Sequence, residues 1–285
     1  MKTALIVNTK KLAAISCSKR ISEHLREWGA ETLMLSSQSS VCGISKVQNY
    51  STYEELFDAC DVAVTVGGDG TIIHSARYAA IFSKPIVGVN MGRFGYVAEL
   101  EESELSMLHR LIIGEYTIQD RMELSVEILR ENRENSSYLA VNDVNISRGY
   151  FSGMVELQVS ADDENIASYR ADGLLFSTPT GSTAYALSAG GPVIDPKLSL
   201  IELTPLCPHS LTARPVLFSS DTTLTVSSKS GDKVFLAIDG QVFVELENTD
   251  RIRVCASEYK LSTIVLKDRN FYKLAGEKLR EGDFK

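Results

Sequence analysis

Asp69 stands in the run "GGDGT", Gly67 to Thr71, where glycines at 67, 68 and 70 clear side chains from the backbone on both sides of it. The run lies between an apolar stretch, "DVAVTV" (Asp61 to Val66), and a helical pattern through Ile72, Ile73, Ala76 and Ala80. A strand that ends in a bare turn at a helix start gathers backbone N–H groups and the positive end of the helix dipole at one place, which suits a phosphate. Glycine inside regular elements costs about 0.5–1 kcal/mol each, so three of them invite a reason beyond a simple connection. If they admit a phosphate to the backbone, Asp69 sits where a hydroxyl and a phosphoryl group could meet. There it could take the hydroxyl's proton or hold the magnesium ion that bridges phosphates. Thr71 can cap the helix, and an Asx-type turn would account for Asp69 without any chemistry. The run is neither a Walker loop nor the G-x-G-x-x-G dinucleotide fingerprint. His74, one turn on, could face a phosphate or solvent.

A second stretch, "YRADGLLFSTPTGSTAYALSAGGP" (Tyr169 to Pro192), reads as a strand, a turn and a short helix entered through Ser182 or Thr183. Thr178, Thr180, Ser182, Thr183 and Tyr185 place five hydroxyls within eight residues. Some must serve turns and caps, and the excess suggests polar groups offered to a ligand. Arg170 and Asp172 precede the strand, where one could pair with a phosphate and the other accept from a ribose; a surface salt bridge is the plainer account. Asn142 and Asp143 stand together after the strand "YLAV", able to fix ribose hydroxyls or simply to form a turn. Asp239 and Gly240 in "IDGQVF" read as a two-residue hairpin turn. Neither His74 nor His209 has a metal-ligand partner at a useful spacing, and no metal site is assigned.

These groups need elements to hold them. The first hundred residues alternate apolar strands ("TALIVN", "ETLMLS", "DVAVTV", "KPIVGVN") with helical patterns, which implies a parallel sheet with helices on its faces. After about residue 117, period-two segments such as "ELSVEILR", "MVELQVS" and "QVFVELE" alternate with turns such as "SADDEN" and "SKSGD", the mark of an antiparallel β domain. The expected organisation is α/β plus all-β, an N-terminal parallel-sheet α/β domain at 1–116 followed by a larger antiparallel β-rich domain at 117–285. The tail from about 261 is read as able to pack back on the first domain.

At 285 residues and net charge -8 the chain is a poor partner for nucleic acid, although one local site can still be electropositive. No apolar run reaches the eighteen or so residues of a membrane span, and the N-terminus lacks a secretion-signal pattern; no membrane partner and a cytoplasmic chain are expected. Cys17, Cys42, Cys60, Cys207 and Cys255 have no paired spacing and read as reduced thiols.

Taken in order, "GGDGT", "ND" at Asn142–Asp143, "DGLLFSTPTGSTAY" with "AGGP" after it, "PHSLTARP" at Pro208 to Pro215 and "DGQ" at Asp239 to Gln241 make the chain similar to the NAD kinases, over roughly residues 1 to 275. "GGDGT" alone is shared with diacylglycerol and sphingosine kinases; the long "TPTGSTAY" segment sharpens the match. The resemblance implies transfer of the terminal phosphoryl group of ATP, with Mg²⁺ or another divalent cation, to the 2′-hydroxyl of the adenosine ribose of NAD, giving NADP. It implies that the second domain binds NAD, and that the protein is a homo-oligomer, dimer or tetramer, in which a neighbouring subunit closes part of the dinucleotide site. Asp69 matches the family's proton acceptor, and Gly70 and His74 match positions near the phosphates. Asn142, Asp143, Asp172, Thr183, Ala184, Tyr185, Ser188 and Gln241 match NAD-contacting positions, and Arg170 a variable basic one. Phe94 and Tyr96 stand where the family more often has Leu and Phe, a change that keeps apolar bulk. A lipid kinase would share the glycine turn but leave "TPTGSTAY" unexplained. A non-catalytic dinucleotide sensor would have no use for Asp69.

Overall fold

The computed structural model describes the whole chain except residues 93–94, 132, 150–152, 229–232, 269 and 283–285. Phe94 and most of the turn read at "SKSGD" therefore lie outside the described residues. The chain forms two compact units, Met1–Arg121 with Tyr259–Lys285, and Met122–Glu258.

In the first unit, β1 (Lys2–Val7), α1 (Leu12–Glu27), β2 (Glu31–Leu35), α2 (Ser36–Cys42), β3 (Gln48–Tyr50), α3 (Tyr53–Ala59), β4 (Val62–Gly67), α4 (Asp69–Ile81) and β5 (Ile86–Asn90) alternate as the periodicity predicts. The strands run parallel in the order β5-β4-β1-β2-β3. Fully buried Leu5, Val64, Val66, Val87 and Val89 form its core with Ile21 and Leu25 of α1. A short β6 (Leu100–Glu101) adds to β5, and α5 (His109–Ile112) follows a 3₁₀ turn. Segment 36–59 carries two helices and a strand that the periodicity does not reveal. The "SSQSSVC" of α2 is poor in helix formers, and Thr52 caps α3 by accepting the N–H of Glu55.

The second unit is antiparallel. The strands β7 (Thr117–Leu129), β8 (Ser136–Ala140), β9 (Asp143–Ser147), β10 (Val155–Ala161), β11 (Glu164–Ala171) and β12 (Gly173–Ser177) precede a short helix, α6 (Tyr185–Ser188). After it come β13 (Leu200–Leu206), β14 (Val216–Ser219), β15 (Leu224–Ser228), β16 (Val234–Ile238), β17 (Val242–Leu246) and β18 (Arg251–Val265). One sheet runs β14-β13-β12-β9-β16-β17; β11, β10, β15 and β18 pair in a second. Alternate residues of both sheets (Val144, Ile146, Leu174 and Phe176; Leu157, Val159, Val226 and Val254) fill one apolar core, as period-two patterning requires. β7 and β18 run through the division between the units. The end of β18 belongs to the first, where Thr263 pairs with Ile86 of β5, and Glu99 accepts the N–H groups of Leu266 and Lys267. The terminal α7 (Phe271–Gly282) is also part of that unit. Among the described residues no helix is long and apolar enough to cross a membrane, and Cys17, Cys42 and Cys60 are buried free thiols.

Two glycines of the β4–α4 turn, Gly67 and Gly70, have different surroundings. A Cβ on Gly67 would lie 2.2 Å from Thr71 Oγ1 and 3.1 Å from the Cβ of Asn8, so that glycine is imposed by packing inside the unit. A Cβ on Gly70 would meet nothing within 4 Å. Gly67→Ala should therefore cost about 1–3 kcal/mol by overpacking. Gly70→Ala, in a helical turn, should be neutral or stabilising by up to about 1 kcal/mol. Urea unfolding of the two variants checks the contrast, and equal losses would remove it.

Candidate functional site

α4 begins at Asp69 behind Gly68, which occupies the N-cap position without a side chain to cap the helix. Thr71 is thus not the cap that the sequence suggests: its hydroxyl faces Asn8 Nδ2 at 3.5 Å, inside the first turn. The Asp69 carboxylate accepts the N–H of Tyr96 at 2.9 Å and of Ala98 at 3.3 Å, which holds it in one orientation. Gly95 makes this possible, because a Cβ there would stand 2.1 Å from both carboxylate oxygens.

Beside this turn lies a cleft of about 460 Å³, walled by residues 8–11 after β1, by Gly68, Gly70, Thr71 and His74 of α4, and by Tyr53. His74 meets the Tyr53 ring edge to face at 5.4 Å, and Tyr53 stacks on Tyr78 at 4.8 Å. The Tyr53 hydroxyl accepts from Gln38, whose own side-chain oxygen takes the N–H of Val7. Burial raises the Tyr53 phenol above its usual range. Sequence reasoning placed Gly70 and His74 here and missed Lys10, Lys11 and Tyr53. The capping box "TYEE" at Thr52 to Glu55 was the available signal for a helix that starts at Tyr53.

In the second unit, three separate motifs form one knot. Asp239 Oδ2 accepts the N–H of Val141 at 2.9 Å, and its Oδ1 accepts those of Asn142 (2.8 Å) and Asp143 (3.0 Å). The Asn142 carbonyl accepts from Thr178 N–H and the Ser177 hydroxyl, and the Thr178 hydroxyl donates to the Val141 carbonyl. Gly181 seals the contact, since a Cβ there would fall 2.1 Å from the Asn142 carbonyl oxygen. Asp239 (φ 50°) and Gly240 (φ 63°) form the expected left-handed turn. The connection is nonetheless one residue longer than the two read from the sequence. Ile238 pairs with Val242, and Gln241 is left as an exposed extra residue.

Part of the hydroxyl set at 178–185 serves the loop itself, as turn and cap chemistry implies. Thr178, Ser182 and Thr183 bond to backbone groups of this loop and its neighbours, with Ser182 bridging Pro179 and Ile194. The helix does not start at Ser182 or Thr183: a 3₁₀ turn, Gly181–Thr183, breaks at Ala184 before α6 begins at Tyr185. Tyr185 and Ser188 line an open cleft of about 350 Å³ together with Asn145, Arg148 and Asp172. Asp172 pairs with Arg148 at 3.0 Å, a residue that sequence reasoning did not single out. Arg170 points out of β11 as an exposed side chain, and its carbonyl accepts the His209 N–H. Thr183 and Ala184 flank Tyr185 without lining the cleft.

Carboxylates crowd the knot. Asp143 is buried and its carboxyl is pushed up to about 7, by burial first and then by the charge of Asp239. Glu123 on β7 is fully buried, and both its carboxylate oxygens lack hydrogen-bond partners among the described residues. Burial first, and then Asp239, raise it to about 8. A carboxyl whose folded pKa exceeds its unfolded value stabilises the fold at low pH, and that contribution is lost as pH climbs to the folded pKa. Glu123→Gln should match the parent in stability near pH 4.5 and exceed it increasingly toward pH 8. Urea midpoints across that range test this; an advantage that does not grow with pH would contradict it.

A parallel α/β unit with a bare strand-to-helix turn, and an antiparallel unit with a polar cleft, are the build of a nucleotide-handling phosphotransferase. Residues 4–116 match the model of the ATP-NAD kinase N-terminal domain, and residues 141–266 that of the C-terminal domain. The NAD kinase of Natranaerobius thermophilus is 35% identical over 280 residues, 98% of this chain and 97% of the relative. That of Heliobacterium modesticaldum is 41% identical over 225 residues, 78% and 79% of the two chains. Among solved structures, yeast NADH kinase complexed with NADH has a TM-score of 0.89 at 21% identity, covering 100% of this chain and 89% of its own. An Archaeoglobus fulgidus NAD kinase in complex with ATP has 0.76 at 24%, covering 98% and 99%. At those identities the structures speak for the fold. The chain belongs to the ATP-NAD kinase family, phosphotransferases whose function is the phosphorylation of NAD to NADP.

Proposed function

We propose that this chain transfers the terminal phosphoryl group of ATP to the 2′-hydroxyl of the adenosine ribose of NAD, with Asp69 as the proton acceptor. The observation that carries the reading is a carboxylate at the start of α4, oriented by two backbone N–H groups, beside a cleft whose wall includes Gly68 and Gly70. In-line transfer needs positioning and charge neutralisation more than covalent chemistry. General-base help adds about 10²–10⁴ in rate. His74 and Gly70 face the phosphates in this reading, and Asn142, Asp143, Asp172, Thr183, Ala184, Tyr185, Ser188 and Gln241 contact NAD. Arg170 supplies a basic group at the edge of the dinucleotide's path.

Among the described residues no group of three or more His, Cys, Asp or Glu side chains could hold a metal. In this reading magnesium enters with the donor as Mg·ATP and would supply charge neutralisation for the transferring group. The ligands named for the solved relatives, ATP and NADH, support the choice of substrates. We place the protein in the cytoplasm from its sequence pattern, and as a homo-oligomer, dimer or tetramer, as the family resemblance implies.

Asp69→Asn keeps one side-chain acceptor for the 96–98 backbone and removes the base. It should lower NADP formation at least about 100-fold while calorimetry still registers NAD binding. Near-parental turnover would defeat the assignment.

A further inference from the structure

The inference rests on ATP being the donor and concerns a lysine that the reading above leaves without a role. Lys11 is the N-cap of α1. Its N–H donates to the Asn8 carbonyl at 3.1 Å, and its carbonyl accepts from Ile15 at 3.2 Å, so its backbone is fixed while its side chain is exposed. The ammonium lies over glycines of two other elements: a Cβ on Gly92 would stand 3.4 Å from Nζ, and one on Gly68 3.9 Å. Lys10 lines the same cleft, its N–H held by Asn8 Oδ1 at 3.2 Å. Neither lysine has an ion-pair partner among the described residues, and no Asp or Glu lines that cleft. In a chain of net charge -8, this is local positive charge over bare backbone, at a cavity of about 460 Å³.

We propose that Lys11 anchors the polyphosphate of the donor nucleotide beside the α4 N-terminus, with Lys10 as a secondary cation. A compact, strongly hydrated ammonium on a flexible stem suits a phosphate chain that must be held and then released. Its role is positioning, so substrate affinity for the donor should move more than affinity for the acceptor.

Lys11→Met should raise the KM for ATP about tenfold or more and leave the KM for NAD within about twofold. Lys11→Arg, which keeps the charge, should recover part of the loss, and Lys19→Met, whose ammonium lies near Gly43 and outside the cleft lining, serves as control. A readout independent of turnover is calorimetric binding of inorganic tripolyphosphate, expected for the parent and weakened about tenfold in Lys11→Met. If the parent forms no NADP, the functional reading fails, while the tripolyphosphate arm still judges Lys11. An unchanged ATP KM with unchanged tripolyphosphate binding, or a parent that does not bind tripolyphosphate at all, would overturn the proposal.

Discussion

The carboxylate of Asp239, held in a left-handed turn, accepts three consecutive backbone N–H groups at Val141, Asn142 and Asp143. Most of what is specific in the second unit depends on that interaction. It fixes the carbonyl of Asn142, against which Thr178, Ser177 and the bare backbone at Gly181 then close. Hydrogen bonds from N–H groups to an ionised acceptor are stronger than neutral ones, so a single side chain can tie together segments 97 residues apart. Nearby, Asp143 and Glu123 are pushed toward their neutral forms, first by burial and then by that negative charge.

The first unit solves a different problem with fewer parts. Its sheet ends at Gly67, where the chain must pass Thr71 and Asn8 at a distance that only hydrogen permits. One residue later the backbone opens, and the N-termini of α1 and α4 both contribute to the wall of one cleft. Helix dipoles favour an anion there, and the lysines after β1 add full charges to those partial ones. Asp69 could satisfy its own helix start. It turns instead to the loop at Tyr96 and Ala98, which keeps its carboxylate oriented.

Part of this was legible in residue order. The 3.6- and 2-residue periods marked the parallel and antiparallel halves because each half buries one face of every element, and burial writes itself into the spacing of apolar residues. Segment 36–59 was illegible for the converse reason: α2 and α3 span two turns each, too short for a period, and their stability comes from packing. Which of the hydroxyls at 178–185 serve the loop was not legible: Thr178, Ser182 and Thr183 satisfy its own backbone, whereas Tyr185 lines the cleft, a division that composition does not reveal.

By itself, the sequence determined the two fold classes, the family, and the positions of the bare turn and of the "ND", "TPTGSTAY" and "DGQ" segments, since these follow from local pattern. Only the tertiary structure decided that Gly67 answers to packing whereas Gly70 is open, that Asp172 pairs with Arg148 and not Arg170, and that Lys11 stands above Gly68 and Gly92. Each of those facts is a distance between atoms remote along the chain. Such distances are set by how whole elements pack, which no local pattern of residue types encodes.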